Sequence, residues 1–264
     1  MSNAAPVLRR WCSFFPLFCV VLFFFFLFAG YASAQGFFKD WLNDKKAMEE
    51  QVPVPDEPLL EEEKPKPVIV FLDAGHGGGD LGAQSSRHVL EKNVTLNIVK
   101  AIKKKLSGYD RIEVVTSRMS DISAKPIERI NQANASDADL FVSVHTDGGM
   151  VPRSHALKVF INHAKDVKSD SWNALNDRFA EQNDILAEKI VTELDKKNNG
   201  RGVDVVKTDK LYLGALLMPA VLVEALDLSN PEDEMRIEEG AYLKEVADAI
   251  ANGLLDFLFS SGKI

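Results

Sequence analysis

The sequence predicts a single α/β domain with a mainly parallel sheet and helices on both faces, preceded by an apolar N-terminal segment and a disordered linker. Three observations predict it. Short apolar runs rich in β-branched and aromatic residues alternate with longer stretches whose apolar positions recur at helical spacing, the pattern of alternating β and α elements. Several of the short runs end in an acid or a histidine, at Asp73, His145 and Glu224. Open α/β sheets place their chemistry at such carboxyl ends. Finally, both cysteines, Cys12 and Cys19, lie in the N-terminal segment, so no disulfide staples the domain and no cysteine serves there as nucleophile or ligand. The 46% hydrophobic content of the 264 residues supplies an ordinary core instead. A formal charge of -8 argues against a nucleic-acid partner.

Residues 1–34 have the form of an export signal. Arg9 and Arg10 precede a nearly unbroken apolar run over 11–29, and Ala32-Ser33-Ala34 offers a cleavage site before Gln35. A retained membrane anchor is the alternative, because the run approaches the roughly 20 residues that span a bilayer. Either way the remaining chain is expected outside the cytoplasmic membrane, in the periplasm or cell envelope, meeting a membrane only through this segment. Residues 35–66 read as a linker. Phe37, Phe38, Trp41 and Leu42 suit a short amphipathic helix. The prolines from Pro53 to Pro58 and the run Glu61-Glu62-Glu63 keep the rest extended.

Residues 67–264 form the domain. Strands are expected at 68–72, 112–116, 140–144, 157–161 and 220–224. Between them, Val94, Ile98, Ile102 and Leu106 mark a helix over 91–107. Pro126 opens a second, with Ile127, Ile130 and Ala133 as its inner face. A broken stripe of Trp172, Leu175, Phe179, Leu186, Ile190 and Leu194 predicts a third over 172–197. Leu243, Val246, Ile250, Leu254 and Leu258 predict the last over 241–259.

The first strand runs into Asp73-Ala74-Gly75-His76-Gly77-Gly78-Gly79-Asp80, where glycines let the backbone turn sharply around one histidine. Glu91 opens the first helix, and His145 follows the strand at 140–144. Two imidazoles and a carboxylate make the protein ligand set of a catalytic zinc site with a fourth position left open. Such chemistry needs a second carboxylate to carry a proton from water to the leaving group. Glu224, ending the run Pro219-Ala220-Val221-Leu222-Val223, is the candidate. Each residue alone has an ordinary explanation. Glu91 could be a helix N-terminal acid, His145 a core histidine, and Glu224 the partner of Arg118 or Arg129. Their shared place at the ends of elements in one sheet favours the joint reading.

From about Pro67 to Phe259 the chain resembles the zinc-dependent N-acetylmuramoyl-L-alanine amidases, type 3, which cut bacterial peptidoglycan. The motifs that carry the resemblance are Asp73 to Gly78 with Asp80 and Gly82-Ala83, Glu91 to Leu96, Thr116-Ser117-Arg118 with Asp121, Glu128-Arg129 with Ala133-Asn134, Ser143-Val144-His145, Arg201-Gly202-Val203, and Pro219 to Glu224 with Ser229-Asn230. The resemblance implies that His76, Glu91 and His145 hold Zn2+, that Glu224 is the catalytic carboxylate, and that the substrate is the amide between N-acetylmuramic acid and L-alanine. It also implies an envelope activator or recruiting protein as a partner. A zinc peptidase acting on another peptide or amide, or a non-catalytic wall-binding module, are the alternatives.

The sequence departs from the family pattern in three places. Ser85, Ser86, Arg87 and His88 occupy a loop before Glu91 that usually carries more glycines, and His88 is an alternative to the favoured ligands. Ala225-Leu226-Asp227 follows Glu224, and Asp227 is expected to raise the Glu224 pKa by like-charge repulsion. Gly214 stands where a basic residue is common. The span 162–184 is the only room for a helix that blocks the metal, and a partial lid suits it better than a full one.

Overall fold

The computed structural model describes residues 39, 41–46, 65–148, 157–163, 172–198, 200–209 and 212–264. The expected signal or anchor at 1–34 and most of the linker lie outside the described residues. Contacts divide the chain after Glu63, and the domain described here is Lys64–Ile264. Before it, residues 39 and 41–46 are helical, with Trp41 and Leu42 exposed. No helix among the described residues is long and apolar enough to cross a membrane.

The domain runs β1 (Val68–Ala74), α1 (Glu91–Leu106), β2 (Ile112–Thr116), α2 (Pro126–Ala135), β3 (Leu140–Asp147) and β4 (Leu157–Asn162). A 3-10 helix over Trp172–Phe179 leads into α3 (Ala180–Asp195), then β5 (Val203–Thr208) and a 3-10 turn at Tyr212–Ala215. β6 (Ala220–Asp227), α4 (Pro231–Glu238) and α5 (Ala241–Ser260) complete it. The six strands are ordered β2-β1-β3-β6-β4-β5. All neighbours are parallel except β4 and β6, which are antiparallel. β4 and β5 therefore run against the other four, and the beginning of β4 lies beside the end of β6.

The pleat sends alternate residues to opposite faces. Val70, Leu72, Val142, Val144, Val221 and Val223 join α1, α3 and α5 in the larger core. Phe71, Phe141 and Leu222 join Ile130 and Ala133 of α2 and Leu213 in a smaller core. Each fully buried Leu, Ile or Phe contributes about 1.5–3 kcal/mol, so the larger layer carries most of the burial.

Three sequence expectations change. Ile127 is 58% exposed, and the buried residues of α2 are Arg129, Ile130 and Ala133. The α2 face is rotated because Arg129 must reach Asp73, which is fully buried. The stripe at 172–197 is not one α-helix: its first eight residues are 3-10, and Leu175 is exposed. β5 and α4 were not expected. β5 is an edge strand with Asp204 and Val205 exposed, and α4 is short and acidic, so neither shows a strong apolar period. Asn230 starts α4 by accepting the Glu232 N–H at 2.9 Å, and Pro231 follows it.

Candidate metal centre

The carboxyl ends of β1 and β3 bring His76 and His145 together, with rings 5.0 Å apart and nearly perpendicular. The first residue of α1, Glu91, lies between them. Its Oε2 is 3.1 Å from His76 Nε2, and its Oε1 is 3.1 Å from His145 Nδ1. One ligand atom from each of the three lies within 4.8 Å of the others. The arrangement is held from behind. Glu91 Oε2 accepts the Ala83 N–H at 2.8 Å, and Oε1 accepts the Thr146 N–H at 2.9 Å. Asp80 Oδ2 lies 2.9 Å from His76 Nδ1, which leaves Nε2 facing the centre.

Burial pushes the Glu91 carboxyl upward, but hydrogen bonds to His145 and His76 outweigh it and hold Glu91 well below the usual carboxylate range. The Glu91 contact raises His76, against the opposing effect of burial. These three side chains thus stand as an anion between two bases, a donor set that a divalent cation completes. The packing leaves room for nothing larger than glycine beside them. A Cβ on Gly75 would lie 2.4 Å from His145 Cε1, and one on Gly82 would lie 2.6 Å from both Glu91 Oε2 and His76 Cδ2.

His76 itself has a φ of 60°, in the left-handed region that non-glycine residues avoid. Two arginines hold the backbone there. Arg129 donates to the Ala74 carbonyl at 2.6 Å and the His76 carbonyl at 2.6 Å, and its guanidinium pairs with Asp73. Arg118 donates to the carbonyls of Ala74 at 2.9 Å and Gly75 at 2.8 Å. Asp73 also accepts from Ser143 Oγ at 2.8 Å and Tyr212 OH at 2.9 Å. Burial would raise Asp73, yet the Arg129 charge and a hydrogen bond from Ser117 keep it below the usual range. Lys92 ties the glycine loop further by donating to Gly78 O and Asp121.

Glu224 lies one strand over, its Cα paired with that of His145 across β3 and β6. Neither Arg118 nor Arg129 is its partner, because both are committed to the loop that carries His76. Lys158 of β4 is, at 3.0 Å from Oε2. Lys158 also pairs with Asp147. Burial raises the Glu224 carboxyl above its ordinary value, Lys158 pulls it back, and the charge of Asp147 pushes it up again. The like charge is therefore Asp147, not the expected Asp227, whose Oδ1 accepts from Ser229 N and Oγ. His88 lies outside the metal-capable group; its Nδ1 is 2.8 Å from Gln84 Nε2. Gly214 is buried in the 3-10 turn. Sequence reasoning quoted Asp73, Asp80, Arg118 and Arg129 within motifs without their supporting roles, and it missed Lys158. The spacing of Asp80 four residues after His76 was the one local signal available.

An α/β sheet with two imidazoles and a carboxylate converging at its carboxyl edge, and a further half-buried carboxylate alongside, is the form of a metal-dependent hydrolase. Comparison with known proteins makes this specific. Residues 70–256 match the family model described as N-acetylmuramoyl-L-alanine amidase. The endolysin of Bacillus phage SPP1 is 32% identical over 193 residues, covering 72% of this chain and 66% of its own length. The amidase AmiA of Escherichia coli K12 is 29% identical over 220 residues, covering 72% of this chain and 75% of AmiA. The crystal structure of an N-acetylmuramoyl-L-alanine amidase from Clostridium difficile 630 superposes with a TM-score of 0.62 at 27% identity, over 74% of this chain and 99% of that one. The chain belongs to the N-acetylmuramoyl-L-alanine amidase family, hydrolases of peptidoglycan amides.

Proposed function

We propose that this protein hydrolyses the amide between the lactyl group of N-acetylmuramic acid and the L-alanine of the stem peptide, with Zn2+ held by His76, Glu91 and His145 and Glu224 as the proton carrier. The observation that carries the reading is the convergence of the three ligand atoms, with Glu224 in register with His145 one strand away. The donor set suits zinc, two neutral nitrogens and one carboxylate, with a position left for water or substrate. When bound, zinc supplies polarisation of the scissile carbonyl and activation of a water molecule.

The chain's own groups do the rest. Asp80 fixes the tautomer of His76 so that Nε2 is free to ligate. Glu91 is held ionised by its two histidines and two backbone donors. Glu224, ionised, accepts the proton from the attacking water and returns it to the departing L-alanine nitrogen. Its raised pKa brings it nearer to the working pH, where both transfers are effective. The apolar run at 11–29 with Arg9 and Arg10 before it supports export, which places the domain where the wall polymer is.

The test is digestion of purified peptidoglycan with and without a chelator, with mass analysis of the soluble products. Stem peptides beginning at L-alanine, released only with metal present, are the expected result. Cleavage inside the stem would instead identify a peptidase. Glu224→Gln should retain zinc and lose about 10²- to 10⁴-fold in turnover, the range for a positioned acid-base group. Normal activity in that variant would remove Glu224 from the mechanism.

A further inference from the structure

We propose that Lys158 is a positioning residue for the reaction: anchored on Asp147, it fixes the Glu224 carboxylate beside His145. The inference rests on reading Glu224 as the proton carrier.

The placement follows from the one antiparallel step in the sheet. Because β4 runs against β6, Lys158, the second residue of β4, lies opposite Glu224, the fifth residue of β6. Glu224 in turn lies opposite His145. The three side chains therefore form one row across β3, β6 and β4 at the edge where the ligands converge. Had β4 been parallel, its first residues would sit at the opposite end of the sheet from this chemistry.

The contacts suit a clamp. Lys158 Nζ donates to Glu224 Oε2 at 3.0 Å and also pairs with Asp147 Oδ2. An ammonium has three donors, so two carboxylates are satisfied by one group. Its side chain is 27% exposed and Glu224 is 22% exposed, so the pair is screened less than a surface bridge. A glutamate has three side-chain torsions, and an unpartnered one at a strand end would sample several. The clamp engages Oε2 and leaves Oε1 to move the proton. Asp147 is two residues beyond His145, across the irregularity between His145 and Asp147 in the β3–β6 register. The anchor of the clamp is thus built into the same strand end that presents the ligand.

The test is a double-mutant cycle on the full zinc-loaded protein, using a soluble muropeptide as substrate. Lys158→Met keeps the stem and removes the charge. Its kcat should fall about 10- to 100-fold, the cost of loosening a reacting group. KM should stay within about 2-fold, because a positioning group does not bind substrate. Zinc should still bind and the domain should remain folded. Lys158→Arg, which keeps the charge, should recover most of the loss. In the Glu224→Gln background, adding Lys158→Met should produce no further loss, since Lys158 acts only through Glu224. Lys158→Gln gives the same reading if the methionine variant folds poorly. A loss confined to KM would overturn the inference in favour of a substrate contact. An equal loss in both backgrounds, or none in either, would overturn it as well. Normal kcat in Glu224→Gln alone would instead defeat the assignment of Glu224, a separate failure seen before the cycle is closed.

Discussion

Gly82→Ala should disable the metal centre, and the size of the effect can be worked from the backbone. Gly82 has a φ of +67°, so any side chain there is strained by about 1–2 kcal/mol. Alanine recovers part of this, about 0.4–1 kcal/mol, by stiffening the unfolded chain. The added Cβ would also lie 2.6 Å from Glu91 Oε2 and 2.6 Å from His76 Cδ2. Ordinary contact begins at 3.4 Å, so each ligand must retreat by about 0.8 Å. Metal sites tolerate about 0.2 Å in ligand position. The zinc affinity should therefore fall by at least 10- to 100-fold, at or above the loss seen when outer-shell partners of a ligand are removed.

Three other glycines separate strain from collision. Gly240 has a φ of +70° with nothing near its absent side chain, so Gly240→Ala carries the strain alone. Gly75 would meet His145 at 2.4 Å but has no positive φ, so Gly75→Ala carries the collision alone. Gly79 has neither, so Gly79→Ala should be neutral. The assay is zinc competition against a chromophoric chelator, with melting of the metal-free protein alongside. Gly82→Ala and Gly75→Ala should lose zinc, while Gly82→Ala and Gly240→Ala should lose stability without metal. Zinc affinity in Gly82→Ala equal to that of Gly240→Ala would refute the claim that these glycines exist to make room for ligands.

Arg129→Met should destabilise the domain by about 3–5 kcal/mol in chemical denaturation, because it leaves Asp73 ionised and buried without its partner. Asp73 has a folded pKa below its unfolded value, so its contribution is complete above about pH 3.9 and is lost as pH falls through the folded value. Asp73→Asn should accordingly flatten the dependence of melting temperature on pH in that acid range. Glu224 has the opposite shift, raised chiefly by burial, and in its proposed role it must be ionised to accept a proton. Turnover should therefore fall as pH drops through a value above the ordinary glutamate range, and a profile flat down to that ordinary range would contradict it. Zinc at about 1,000 times its dissociation constant should stabilise by about 4.1 kcal/mol. For a domain near 200 residues this is a rise in melting temperature of about 8–16 °C, reversed by chelator.

The sequence disclosed most where one residue's surroundings are set by its own strand. β1, β3 and β6 are buried on both faces, so they read as near-continuous apolar runs, and a histidine or glutamate at or just past such a run stands out. His76, His145 and Glu224 are visible for that reason. β5 stayed hidden because an edge strand with Asp204 and Lys207 among its valines shows no such run, and α4 because Glu232, Asp233 and Glu234 fill its first turn. The arginines were visible only as alternative partners for Glu224. A buried acid at a strand end needs a partner, and two acids compete for two arginines. Asp73 is fully buried and claims Arg129, while Arg118 serves the carbonyls before His76. That leaves Glu224, partly exposed, to the less demanding ammonium of Lys158. No local pattern reveals this, because the pairing depends on β4 entering the sheet reversed and between β6 and β5. The two histidines and Glu224 are thus written in strand ends, and the lysine that pairs with Glu224 is written in strand order.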